Sequence, residues 1–143
     1  MSKEQKTHVG KGHMWSMHTV TNFQKVSIFM QAMEQDQPEK SGFPDWETVA
    51  LRLSLIQEEH DELVKAVNDE DLVEVADALT DLLYVVYGMG HAFGINLDLA
   101  FNNVHASNMS KMGEDGKPIY REDGKVLKGP NYFPPKIKRA LTL

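Results

Sequence analysis

The acidic stretch Gln57-Glu58-Glu59-His60-Asp61-Glu62 decides how this sequence folds, because it interrupts a run whose apolar residues recur at helical spacing. On a helix that turns by about 100° per residue, its three glutamates share an arc of about 100° with Leu51, Leu55 and Ala66. Carboxylates therefore occupy the face of this helix that should pack inward.

The next helical run carries a second set of acids inside an apolar surface. Glu74, Asp77 and Asp81 share an arc of about 60°, and apolar side chains cover nearly all of the remaining circumference. If the two helices form an antiparallel hairpin that turns near residue 69, both acidic sets lie roughly 7 to 18 Å from the turn. Two acidic arcs at matching heights are expected to face each other.

Carboxylates gathered without partners in a low-dielectric site destabilise a fold by several kcal/mol each. Neither Lys65, which points away, nor Arg52, a turn or more distant, is expected to neutralise them. A hard divalent cation is the usual compensation, and Mg²⁺ favours carboxylate oxygens together with water and substrate phosphates. The simpler alternative, a set of solvated surface acids, fits six acids on two matched apolar faces poorly.

Capping residues and apolar spacing predict four helices. The first begins after Thr19 or Thr21, and the second runs from Asp45 to about Asn68. The third runs from about Asp71 to Phe93, and the fourth from Asn96 to near Met112. Gly94 is the expected stop of the third helix. Because the connections are short, we predict an all-α fold, an antiparallel four-helix bundle with an irregular C-terminal tail.

Composition divides the chain into three parts. Residues 1–17 are polar and expected to be flexible, residues 18–112 form the helical domain, and residues 113–143 are a Gly/Pro-rich basic tail that closes over the site. Within the tail, residues 119–127 are compatible with a small hairpin around Asp123-Gly124. The 143 residues suffice for one domain, and the absence of cysteine excludes disulfides and thiolate metal sites.

Charge is distributed unevenly along the chain. The net charge is −6, and residues 105–143 carry eight Lys/Arg against four Asp/Glu, which leaves −10 on residues 1–104. A duplex nucleic-acid binder would show a broad basic face instead. The balance fits a small polyanion that is bound through metal ions. The sequence shows no apolar signal segment and no apolar stretch long enough to span a bilayer. We therefore expect a cytoplasmic protein that does not bind a membrane.

These residues resemble the all-α NTP pyrophosphohydrolase superfamily, which includes MazG, the phosphoribosyl-ATP pyrophosphohydrolases and the dimeric dUTPases. Its pattern of EExxE followed by ExxD on two antiparallel helices begins here at Glu58. The likeness covers most of residues 20–135 and is greatest to a branch with the segments D-LLYV-YG, VH-SN-SK and DGK. Here these read Asp81-Leu-Leu-Tyr-Val-Val-Tyr-Gly88, Val104-His105-Ala-Ser107-Asn108-Met-Ser-Lys111 and Asp123-Gly-Lys125.

The second half of the pattern departs from the family. Literal matching finds Glu74-x-x-Asp77, whereas alignment on the Asp81 segment makes Asp81 the family aspartate and puts Ala78 where the family has glutamate. The two registers differ by about one helical turn. Either Glu74 or Asp77 could therefore supply the missing carboxylate.

The resemblance implies Mg²⁺-dependent hydrolysis of a nucleoside triphosphate, or a related nucleotide, between its α and β phosphates, with Mn²⁺ as a substitute metal. Glu58 would orient or deprotonate the attacking water. The metal ligands that it implies are Glu59, Glu62, Asp81, Asp77 and Glu74. The substrate-binding residues that it implies are Asn108 and Lys111. From the basic tail, Lys125, Lys128 and Tyr132 could close over phosphate or base, and a solvated surface role is the alternative for each.

Two other classes of function stay open. One is a nucleotide or metal sensor that has lost turnover, which the Ala78 departure makes conceivable, and the other is a structural helical interaction module. The sequence has no P-loop, GxGxxG, G-x-S-x-G or HExxH pattern, so those chemistries lack support. The preferred base is not specified, and dUTP, dCTP, a damaged nucleotide and phosphoribosyl-ATP all stay open.

The third helix also predicts an assembly. It is too hydrophobic to be covered by three other short helices, so we expect a homodimer or a dimer of dimers, with the active site near the subunit interface.

Overall fold

The computed structural model describes residues 19–143. The helices in this part are α1 (Asn22–Ala32), α2 (Trp46–Asn68), α3 (Leu72–Ala92), α4 (Leu97–Met109) and a short 3-10 helix, Ile137–Ala140. Over these residues β pairing is confined to two isolated bridges. The predicted all-α class is confirmed, whereas the segment 1–17, which we expected to be flexible, lies outside the described residues.

The helix starts follow from local capping, as predicted. Thr21 caps α1 through a capping box, in which its hydroxyl accepts from the Gln24 N–H at 3.1 Å and the Gln24 side chain accepts from the Thr21 N–H at 3.0 Å. Asp45, Asp71 and Asn96 likewise accept backbone N–H groups in the first turns of α2, α3 and α4.

The helix ends show one local stop and one difference from expectation. Gly94 follows α3 with φ +64°, and a Cβ at this position would lie 2.7 Å from the backbone oxygen of Lys40. Helix α4 ends at Met109 rather than near Met112. The chain turns there because the Phe133 N–H donates to the Ser110 hydroxyl at 3.1 Å and draws the tail against the helix end.

Helices α2 and α3 form the main packing unit, an antiparallel hairpin whose turn at residues 69–70 was predicted. Helix α1 packs on α3, and α4 makes its principal contacts with the 3-10 helix rather than along α2 or α3. The buried apolar residues are few and mostly small: Phe23, Val26, Met30, Val49, Ala66, Ala78, Ala92, Ala100 and Ala140.

The C-terminal segment returns to the α1–α2 connection and to the α3–α4 connection. The Ser41 N–H donates to the Thr142 carbonyl at 2.7 Å, and the Asn96 N–H donates to the Ala140 carbonyl at 3.0 Å. The predicted small hairpin is present as a bridge between Tyr120 and Val126. The tail is therefore irregular but anchored at both of its ends.

One face of α3 stays uncovered within a single chain. Leu72, Leu79, Leu83 and Val86 expose 79%, 47%, 53% and 37% of their surfaces. Together with the exposed Ala76 they follow the heptad spacing of a helix-packing seam, and we call these five residues the α3 outer stripe. No helix among residues 19–143 is long and apolar enough to cross a membrane.

Candidate metal centre

Glu59 is the acid around which the candidate site is organised. Its side chain is half-buried, and its Oε2 atom is buried without a hydrogen-bond partner among residues 19–143. Burial raises the pKa of Glu59, and the nearby charges of Glu62, Asp81, Glu58 and Asp77 raise it further. The charges of four predicted site acids, two on α2 and two on α3, therefore act on Glu59.

The register of the α2–α3 hairpin explains which acids meet. The Arg52 Nη1 atom lies 2.8 Å from the position that a Cβ on Gly88 would take. About two helical turns further along α2, and the same distance back along α3, this register brings Glu59 opposite Asp81. The matching heights that the sequence predicts for these two carboxylates follow from this antiparallel register.

The four acids with the largest effects on the pKa of Glu59 are Glu62, Asp81, Glu58 and Asp77, and Glu74 lies elsewhere on α3. It lies nearer the hairpin turn, where its charge contributes to raising the pKa of Lys65, after the larger effect of Asp69. It also lines an open cavity of about 390 Å³ together with Glu62. Of the two acids that could compensate for Ala78, Asp77 has a charge that raises the pKa of Glu59, while Ala78 itself is buried. Which of the two would hold a metal stays a prediction.

The donor set fits a hard divalent cation. It consists of carboxylate oxygens, and one of them, Glu59 Oε2, is desolvated and lacks any partner. Within residues 19–143, no group of three or more acidic or histidine side chains is already arranged to hold a metal ion. The carboxylates do not converge on one point, so their side chains would have to rotate toward a common cation to bind it.

The predicted substrate-binding residues gather on a different unit, formed by the end of α4 and the tail. The Gly129 N–H donates to the Lys111 carbonyl at 2.9 Å. The Lys128 ammonium lies 4.5 Å from the ring centre of Tyr132. Asn108 is exposed at the end of α4, and Lys125 is exposed in the small hairpin of the tail. That these residues contact a nucleotide held at the acids stays a prediction.

The burial of Arg52, which is 8% exposed, was not predicted from the sequence. Its Nη2 donates to the Gln35 side-chain oxygen at 3.1 Å, and its Nε lacks a partner. Burial lowers the pKa of Arg52. The available signal was its spacing from Glu59, since residues seven apart lie on nearly the same face of a helix.

Comparison with known families decides the assignment. Residues 26–108, more than half of the chain, match the phosphoribosyl-ATP pyrophosphohydrolase family. The chain belongs to this family. The match includes all six acids and Asn108, whereas Lys111 and the tail residues lie beyond it. The predicted resemblance is confirmed, and the family indicates a hydrolase with a pyrophosphohydrolase-like function.

The similar proteins include a viral protein and a bacterial protein of known structure. An uncharacterized protein of Acanthamoeba polyphaga mimivirus is 48% identical over 82 residues, which are 57% of this chain but 30% of that protein. The chain thus spans about a third of the length of that relative. The second is a proposed NTP pyrophosphohydrolase from Exiguobacterium sp. 255-15, whose crystal structure matches with 26% sequence identity and a TM-score of 0.44. The match covers 80% of this chain and 89% of that protein.

Proposed function

We propose that this protein is a Mg²⁺-dependent nucleoside triphosphate pyrophosphohydrolase, which cleaves a (d)NTP or related nucleotide to the monophosphate and pyrophosphate. The observation that carries the proposal is the half-buried Glu59, whose Oε2 has no partner and whose pKa is raised by burial and by acids from both α2 and α3. Such a site is stabilised when a divalent cation replaces the missing positive charge.

The position of each carboxylate on the hairpin determines its proposed role. Glu59, Glu62, Asp77 and Asp81 would hold the metal, whereas Glu74 lies nearer the hairpin turn and outside this ligand set. Bound Mg²⁺ would offset the negative charge that develops on the phosphate oxygens. Mn²⁺ shares the preference for carboxylate and water ligands and is expected to substitute.

Glu58 is exposed beside this group and is the candidate general base. Its carboxylate would accept a proton from the attacking water, whose oxygen adds to one phosphorus of the α–β anhydride. The bond from that phosphorus to the bridging oxygen breaks, and the leaving group departs with the bond electrons. Exposure suits this role, because the base must exchange its proton with solvent after each turnover.

The complete site would need a second copy of the chain, in a homodimer or a dimer of dimers. The α3 outer stripe offers an apolar seam of heptad spacing. Residues 105–143 carry eight Lys/Arg against four Asp/Glu, whereas residues 1–104 are acidic. A partner's tail would supply cations to the acidic body, and its Asn108, Lys111, Lys125, Lys128 and Tyr132 would contact the nucleotide.

The test is a screen of the common NTPs and dNTPs with Mg²⁺ or Mn²⁺, with both products identified by phosphorus NMR. We expect equal amounts of monophosphate and pyrophosphate from the wild type and a large loss of rate in Glu59→Gln. Release of orthophosphate would contradict α–β cleavage. Nucleotide binding without any release would favour a sensor, and no binding and no effect of divalent ions would favour a structural module.

A further inference from the structure

Two buried side-chain atoms lack a hydrogen-bond partner in residues 19–143, and both belong to α2. They are Glu59 Oε2 and Arg52 Nε. Their residues lie about two helical turns apart on nearly the same face, roughly 10 Å along the helix axis. The first is explained by the proposed metal, whereas nothing in the proposed function yet explains the second.

Arg52 is a buried cation without a compensating anion. Its one hydrogen bond runs from Nη2 to the neutral amide oxygen of Gln35, at 3.1 Å. The ion pairs among the described residues join His60 with Asp61, Lys65 with Asp69 and Arg121 with Asp123, and none includes Arg52. A buried guanidinium with a free donor destabilises a fold unless something else pairs with it.

The guanidinium contacts Gly88 of α3, where the absent side chain makes room for Nη1, and the side chain of Gln35. Gly88 of α3 has no side chain, and a Cβ there would lie 2.8 Å from Arg52 Nη1. Gln35 is an exposed residue of the α1–α2 connection, so Arg52 lies one side chain below the surface. A phosphate oxygen would form a stronger, charge-assisted bond than the amide oxygen that it displaces.

We propose that Arg52 is a substrate-binding residue that takes the terminal phosphate of a metal-bound polyphosphate when the Gln35 side chain turns away. This inference rests on the proposed function, because it places one end of the polyphosphate at the Glu59 group. The planar fork of arginine can donate two parallel hydrogen bonds to a phosphate, which lysine cannot. Arg52 would then bind one end of the polyphosphate, and a metal held by Glu59 would bind the other end.

The experiment measures binding of inorganic tripolyphosphate with Mg²⁺ by calorimetry, beside the melting temperature of the ligand-free protein. For Arg52→Met we expect at least about tenfold weaker binding and an unchanged or higher melting temperature, since a buried unpaired charge is removed. Arg52→Lys should also bind more weakly because it lacks the fork. Gln35→Ala should bind as tightly as the wild type or more tightly.

Each opposite result would overturn the inference. Unchanged tripolyphosphate affinity in Arg52→Met or Arg52→Lys, or weaker binding in Gln35→Ala, would make Arg52 a purely structural residue. Absence of binding to the wild type at millimolar probe would do the same. Should Arg52→Met fail to fold, Arg52→Lys decides alone. Arg52-dependent binding in a protein that hydrolyses no nucleotide would uphold the anion site while the proposed function fails.

Discussion

The charge of Asp81 on α3 raises the pKa of Glu59 on α2, and Glu62, Glu58 and Asp77 act in the same direction. The largest effect on this pKa is the burial of Glu59 itself. The protein therefore keeps a desolvated carboxyl in the field of four other acids. This arrangement destabilises the chain, and a bound divalent cation would offset that effect.

Replacement of Glu59 by glutamine should stabilise the metal-free protein at neutral pH. A carboxyl whose folded pKa lies above its ordinary value of 4.5 contributes stability below that value and loses it as pH rises through the folded pKa. Glu59→Gln removes this loss, so its melting temperature should exceed that of the wild type near neutral pH and match it below about pH 4.5.

The control for this comparison is Glu74→Gln, because Glu74 lies nearer the hairpin turn, where its charge acts on the pKa of Lys65. Its melting temperature, measured in chelator at each pH, should follow that of the wild type. A Glu59→Gln protein that is less stable than the wild type at neutral pH would mean that the Glu59 carboxylate is already compensated.

The α3 outer stripe should hold the assembly together. Leu83 is 53% exposed in the single chain, and Leu83→Glu would place a charge in the predicted seam. We expect the variant to elute at the monomer mass of 16.2 kDa in gel filtration with light scattering, whereas the wild type elutes as a dimer or larger. Leu143→Glu, which alters an exposed apolar residue at the chain end, is the matched control. A monomeric wild type at micromolar concentration would refute this prediction.

The tail should detach from α4 when Gly129 gains a side chain. A Cβ at Gly129 would lie 2.1 Å from the Met112 carbonyl oxygen, a contact that only a backbone shift can relieve. Gly129→Ala should therefore destabilise the docked tail by about 1–3 kcal/mol. Limited proteolysis should cut it faster within residues 113–136, and nucleotide affinity should fall. Gly42→Ala, where a Cβ meets nothing within 4 Å, should behave as the wild type.

Helix and site features encoded by nearby residues could be predicted from the sequence. Thr21, Asp45 and Asn96 mark helix starts because a cap needs only the N–H groups of the next turn. The facing of Glu59 and Asp81 followed from the fixed rise of a helix and the position of the turn.

Features that depend on long-range contacts could not be predicted. The Ser107 hydroxyl donates to the Phe133 carbonyl at 2.8 Å across the α4–tail unit, and no periodic pattern encodes that partner. The burial of Arg52 likewise depends on Gly88 of another helix. The choice between Glu74 and Asp77 needed the real register of the hairpin, because both residues lie on the same arc.

Protonation of His91 should destabilise the fold in mild acid. Its Nε2 bonds to the Phe23 carbonyl at 2.7 Å and its ring stacks on Phe23 at 3.8 Å, while burial lowers the pKa of His91. Between the folded pKa and the ordinary value of 6.5 the unfolded chain binds more protons, so the free energy of unfolding rises with pH. Urea denaturation from about pH 5 to about pH 8 should show this slope.

The slope should be flatter in His91→Gln, which has no titrating ring. His60→Gln alters a histidine whose side chain is 58% exposed and should keep the slope of the wild type. An equal slope in His91→Gln and the wild type would assign the pH dependence to another group.

The claim that Glu59 and its neighbours bind a divalent cation is tested most directly by the effect of Mg²⁺ on thermal unfolding. A ligand that binds only the folded state stabilises it by about 2.7 kcal/mol at a concentration 100 times its dissociation constant. We predict a saturable rise in the melting temperature of the wild type and of Glu74→Gln, a weaker response in Asp77→Asn, and none in Glu59→Gln. An equal rise in Glu59→Gln and the wild type would contradict the account.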